Sequence, residues 1–225
     1  MRQLDTDMWV TESPLRFLGL EVGARMTVVR LPDGRLWLHS PVSATPELVR
    51  EVEALGPVAF LIAPNRFHHL YVSEWKEACP DALVYVAPGL ETKRSDLDLA
   101  GVLSDEPEPG WKDAIEQVAL GGMPMMSEVV FFHRPSATLI VTDLAFNVGP
   151  DDAPLTRFFF RLNGAYGRVS ATVLERLLAR DRTKLRQSFE RMLEWPFERI
   201  VVAHGDVSES GGRDQLVASY DWLLR

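Results

Sequence analysis

The segment IAPNRFHHLY, residues 62–71, sets His68 and His69 side by side just after an apolar run, in a chain with only five histidines. Two later apolar runs also end in groups that bind metal or move protons: LIVTD closes on Asp143 and IVVAH on His204. Neutral imidazole and carboxylate oxygen are the ligands that zinc and non-haem iron take. In α/β proteins the ends of buried strands face a cleft while the strand holds them rigid, so sites gather there. Each position also has a plainer use. A strand-end histidine is commonly a surface or hydrogen-bonded residue, Asp143 serves equally as a turn cap, and His204 before Gly205-Asp206 serves equally as a turn residue. The recurrence of the pattern at three strand ends favours a metal site.

The elements that would position these residues can be read from local patterns. Met26 to Leu31 and Arg35 to Ser40 are strand-like runs around PDG, a hairpin signal. Thr45-Pro46-Glu47 opens a helix, with Thr45 as cap and Leu48, Val49, Val52 and Leu55 at helical spacing, and Gly56-Pro57 ends it. VAFLIAP has the length and near-continuous apolarity of a strand covered on both faces. Tyr71 to Ala78 reads as helix, with Ser73 a candidate cap, and ALVYVAP as a second buried strand. Residues 89–114 are rich in Asp, Glu, Pro and Gly and predict a long surface excursion with at most short turns. IEQVAL, EVVFFH and TLIVTD return to sheet, 153–194 is mainly helical, RIVVAHGD is a last strand, and GRDQLVASYDWLLR is a closing helix. This succession predicts an α/β protein of two packed sheets with helices outside.

At 225 residues and 46% hydrophobic composition the chain can bury a large core, and a single domain over 1–225 is expected. The net charge of -8, without a basic stripe, argues against a nucleic-acid partner. Its apolar runs fall far short of the roughly 20 residues that span a bilayer, so no membrane partner is expected. The acidic N-terminal stretch and the single cysteine, Cys79, fit an unprocessed, cytoplasmic chain.

The ordered motifs resemble the metallo-β-lactamase superfamily, whose fold is a four-layered αββα sandwich. PNRFHH stands where that family has an HxHxDH loop, LGGMP at its Gly-rich turn, LIVTD at its aspartate strand, VVAHG at its final histidine and GRLWLHSP near its LIDTG. The likeness covers nearly the whole chain. It departs at Pro64 and Arg66, which occupy the first two histidine positions, and at LGGMP, which supplies no histidine. The NxxHH loop is similar to that of a domain-of-unknown-function branch. The resemblance implies one remaining divalent ion, zinc or iron, bound by His68, His69, Asp143 and His204.

Around this set, His39 stands at the position of the family's buried aspartate and is either a partner that orients His68 or His69 or a plain strand-end histidine. Asn65 is expected to hold the loop by side-chain to backbone bonds. Asp206 is either a proton-transfer group or outer acceptor, or a solvated turn residue. Arg66 and Tyr166 are candidates for binding substrate, against solvation for the arginine and core packing for the Phe158 to Phe160 and Tyr166 aromatics. His133, at a turn away from the strand ends, is excluded.

The resemblance implies a metal-dependent hydrolase of a small-molecule substrate, in which the ion activates water and polarises the scissile group. Four protein ligands would close a tetrahedral zinc site, so this reading requires five-coordination or a weakly held ligand. Two other readings stand beside it: a mononuclear non-haem iron oxidoreductase, and a non-catalytic metal-binding or sensor protein on the same fold.

Overall fold

The computed structural model describes residues 1–225. Strands β1 (Arg2–Asp5) and β2 (Met8–Ser13) and a small hairpin, β3 (Arg16–Phe17) with β4 (Leu20–Glu21), precede the first pair expected from the sequence. That pair is β5 (Ala24–Arg30) and β6 (Leu36–His39), antiparallel, with Thr27 opposite His39. Gly34 supplies the left-handed turn residue at φ +85°. The Thr45 hydroxyl then accepts the Leu48 N–H at 3.3 Å and opens α1 (Pro46–Glu53).

Helix α1 crosses back so that β7 (Val58–Ala63) lies parallel to β6, with Ile62 beside His39. Then α2 (Val72–Ala78), β8 (Leu83–Val86), α3 (Leu90–Lys93) and β9 (Gly101–Val102) follow, and β7, β8 and β9 are parallel. The N-cap of α2 is Tyr71 rather than Ser73. The first sheet has the order β1-β2-β5-β6-β7-β8-β9. Residues 89–114 therefore depart from the expected surface excursion. They contribute a turn of helix and an edge strand, and they bury Leu90, Leu103 and Trp111. Isolated anchors of this kind leave no periodicity to read.

The second sheet pairs β10 (Ile115–Ala119), β11 (Val129–His133) and β12 (Thr138–Ile140) antiparallel. Helices α4 (Pro154–Leu162), α5 (Val173–Leu178) and α6 (Arg182–Met192) then carry the chain to β13 (Arg199–Val201), which lies parallel to β12. Helices α7 (Gly212–Ser219) and α8 (Asp221–Leu224) end it.

Side-chain alternation sorts the core into layers. Trp37, Phe60 and Ile62 of the first sheet meet Ile115, Phe131, Ile140 and Val201 of the second. The outer face of the first sheet is covered by Val52 of α1 and by Val72 and Trp75 of α2. Phe132, Leu139 and Ile200 pack outward against Leu185 and Phe189 of α6 and Leu216 of α7. The result is the αββα sandwich. None of the helices is long and apolar enough to cross a membrane.

Trp37 meets Phe131 edge to face across the two sheets, at 5.0 Å between ring centroids. Phe131→Ala is therefore expected to cost about 3 to 5 kcal/mol, read from urea unfolding. His133, at the far end of β11, bonds Ser136 Oγ at 2.7 Å through Nδ1, and burial holds its pKa down to about 4 against the opposing pull of Asp5 and Asp7. Its unfolded pKa is near 6.5, so the unfolded chain takes up the proton first and stability falls as pH drops from 6.5 towards 4. The unfolding free energy of His133→Asn should be flatter over that window, by roughly 3 kcal/mol at most.

Candidate metal centre

Pro64 ends β7, and Asn65 folds the next residues into a tight loop. Its Oδ1 accepts the N–H groups of both Phe67 and His68 at 2.8 Å, an Asx turn. Its Nδ2 donates to Thr142 Oγ1 at 2.9 Å and to Asp143 Oδ2 at 2.6 Å. Asn65 thus holds the loop, and it also orients the carboxylate. The loop is tied to the second sheet by Arg66 N–H to Met126 O at 3.0 Å and Val129 N–H to Pro64 O at 2.8 Å.

Asp143 follows β12. Glu128, fully buried just before β11, receives the Thr142 N–H on Oε1 at 2.6 Å and the Asp143 N–H on Oε2 at 2.9 Å. Burial and then the Asp143 charge push the Glu128 carboxyl upward. Burial also works to raise Asp143, but His68 and His204 outweigh it and hold this carboxyl well below the usual range.

His204 follows β13, and its Nδ1 donates to Gly23 O at 2.8 Å. A carbonyl only accepts, so the neutral ring carries its proton on Nδ1 and its lone pair on Nε2. The Phe146 ring stacks on it at 5.6 Å. Gly205 allows the turn that follows, at φ +91°, where a Cβ would lie 2.2 Å from Asn147 O. His68 Nδ1 lies 2.8 Å from Ser40 Oγ, a hydroxyl that can donate or accept.

These elements bring His68, Asp143 and His204 together, with one ligand atom of each within 4.8 Å of the others. The two Nε2 atoms are 3.2 Å apart, and they lie 3.4 Å and 3.5 Å from the Asp143 oxygens. A tetrahedral ion with bonds of about 2.0–2.1 Å places its ligand atoms about 3.3–3.4 Å apart. An octahedral ion with the same bonds brings neighbouring ligands to about 2.9 Å. The two imidazole nitrogens lie close to the tetrahedral spacing, and the carboxylate turns Oδ2 towards His68 and Oδ1 towards His204, so the three side chains could hold one divalent cation.

His69 lies outside this group. Its Nδ1 faces Arg94 Nη1 at 3.1 Å, and burial, then Lys93 and Arg94, lower its pKa to about 4. His39 is buried, with Nε2 unpartnered and its ring stacked on Trp37 at 5.5 Å, and burial lowers its pKa to about 3. The hydrogen-bond partner of His68 Nδ1 is its neighbour Ser40 rather than His39. Arg66 packs over Gly89 and donates to Pro124 O at 3.1 Å. Tyr166 lies under the Arg161 guanidinium at 4.2 Å, beside the Phe146 and Phe160 cluster. Asp206 is exposed on the side of Gly149 and not in the group, and its carboxyl is raised by burial and then by Asp152. The sequence reading missed Ser40, Gly23, Glu128 and Arg94. Each acts across a long sequence separation, which leaves no local motif.

Two packed sheets between helices, with a His/His/Asp group at the strand ends, define a protein of the metallo-β-lactamase fold. Three solved structures share that fold with the chain. The metallo-β-lactamase from Pontibacter korlensis superposes with a TM-score of 0.66 at 15% identity, over 98% of this chain and 96% of that one. VMB-1 gives 0.70 at 11%, over 99% and 95%, and TMB-1 gives 0.68 at 14%, over 100% and 97%. No curated protein sequence matches the chain. Residues 5–158 match the family described as domain of unknown function (DUF4336), and the chain belongs to that family. The matched span contains His68 and Asp143, while His204 lies beyond it.

Asn65→Ala removes the acceptor of two loop N–H groups and the donor to Asp143. It should weaken metal binding about 10 to 100-fold, as outer partners of ligands typically do, whereas His133→Asn should leave affinity unchanged. Competition with a chromophoric chelator reads both.

Proposed function

We propose that the chain is a mononuclear metal-dependent hydrolase of a small-molecule substrate. The observation that carries this reading is the mutual spacing of His68 Nε2, His204 Nε2 and the Asp143 oxygens, 3.2–3.5 Å, which suits one tetrahedral ion. Three protein donors leave a coordination position open, as catalytic zinc sites do, whereas structural sites are closed by four.

The chemistry supplied by a divalent ion there is Lewis-acid polarisation of a scissile carbonyl or phosphoryl oxygen and a lowered pKa for water. The protein's part is orientation. The Gly23 carbonyl aims the His204 lone pair inward, Ser40 fixes the His68 ring, and Asn65 with Glu128 fixes Asp143. Phe67 and Leu70 are exposed on the loop that carries His68, which suits a substrate with an apolar portion. Pro64 has no side-chain donor and Arg66 is permanently cationic, so neither supports a second ion. The spacing favours tetrahedral zinc. The same two-histidine, one-carboxylate set also serves non-haem iron oxygenases, which keeps the iron oxidoreductase as the second reading.

Protein purified without chelator is expected to carry one transition metal per chain by elemental analysis. His68→Ala, Asp143→Asn and His204→Ala should each lose both the metal and turnover on a panel of esters, lactones, thioesters and phosphodiesters. A second ion within about 4 Å, the spacing of two-metal hydrolytic sites, would defeat the mononuclear reading. One bound metal with no turnover on the panel would favour a sensor.

A further inference from the structure

The guanidinium of Arg94, at the end of α3, is held on every side. Nε and Nη2 bind the two Asp96 oxygens at 2.8 Å and 2.7 Å, and Nη2 also donates to Ser73 Oγ at 2.6 Å. Nη1 is left for His69, where it lies 3.1 Å from both Nδ1 and the backbone carbonyl. Two contacts to one residue fix the direction in which the arginine points.

A guanidinium offers donors only and does not lose its proton in proteins. The ring atom facing it must therefore bring a lone pair, so Nδ1 of His69 accepts. A neutral imidazole has a single N–H, which then sits on Nε2. This is the opposite tautomer from His204, whose Nδ1 faces the Gly23 carbonyl and must donate. Nε2 therefore carries the lone pair on His204 and the proton on His69. A metal ligand needs the lone pair, and the only one on His69 is occupied by Arg94.

Resting on the hydrolase reading above, we infer that Arg94 is a positioning residue that holds His69 as an Nε2–H donor, excludes it from the coordination sphere and so keeps one position on the ion open. The ligand set is then His68, His204 and Asp143. The Nε2–H of His69 has no protein hydrogen-bond partner, and its ring stands outside the His68, Asp143 and His204 group. The two neighbouring histidines thus differ: His68 belongs to the ligand set, and His69 is held outside it by Arg94.

The test uses the 225-residue chain. In the metal-free, 15N-labelled protein, two-bond proton–nitrogen correlation spectra should show His69 as the Nε2–H tautomer. X-ray absorption of the zinc-loaded protein should count two histidines on the metal. Arg94→Met frees Nδ1 to carry the proton and turns the Nε2 lone pair outward. Its zinc spectrum should then show three histidines, and its zinc affinity should rise on the order of tenfold, the lower end of what outer partners move. A purely structural role for Arg94 would lower affinity instead. Arg94→Lys keeps a donor to Nδ1 and should restore the count of two. An Nδ1–H tautomer of His69, or three histidines on zinc in the unsubstituted protein, would overturn the inference without any variant having to fold. Turnover on the ester and phosphodiester panel is read separately. A two-histidine site that turns nothing over would support this assignment and defeat the hydrolase reading.

Discussion

A single buried carboxamide joins the two halves of the site. Asn65 leaves a strand of the seven-stranded sheet, and Thr142 and Asp143 leave a strand of the four-stranded one. The Asn65 oxygen shapes the histidine loop while its nitrogen fixes the carboxylate, so one side chain sets the distance between ligands from separate sheets. No other side chain does both. Aspartate would replace the donor with a charge beside Asp143, alanine would remove the acceptor of the Phe67 and His68 N–H groups, and glutamine would carry the amide one methylene too far. The sandwich brings the strand ends near one another, and this amide sets their final spacing.

Beyond that amide, one ring nitrogen of each of three histidines meets a partner of its own hydrogen-bonding character. A carbonyl faces His204, a guanidinium faces His69, and a hydroxyl, which serves either way, faces His68. Two backbone N–H groups face the buried Glu128 carboxyl group, which stiffens the chain just before Asp143. The imidazoles are alike as chemical groups, and these neighbours make them different reagents.

Much of this was legible in the sequence because it is local. The apolar runs ending at Pro64, Asp143 and His204, the PDG hairpin and the Thr45-Pro46 helix start each declare themselves within a few residues, and their order resembles a known family. The rest depends on distance. Of the strands before Ala24, β1 lies at the sheet edge, β3 and β4 are two residues each, and β2, though interior, is flanked by no strong turn signal. Arg94 acts 25 residues from His69, inside a stretch whose composition suggests only loop. Ser40 and Gly23 act on rings 28 and 181 residues away. Glu128 sits at the head of an apolar strand, where a carboxylate ordinarily marks an exposed end. His69 shows the limit most clearly: its position suggested a ligand, and only a contact from another element reveals which nitrogen bears the proton.

The parallel pairing of β12 with β13 also constrains when the site can come into being. His204 is supplied by the last strand and enters only after three helices have returned the chain to the second sheet. On a ribosome that adds about 5–20 residues per second, the first sheet and the histidine loop emerge seconds before the closing ligand. During that interval the nascent chain holds His68 and Asp143 without His204. A site whose third donor arrives with the last strand would form late in folding, unlike small zinc modules whose ligands lie close in sequence. An ion arriving then would meet side chains already placed by sheet packing and hydrogen bonds.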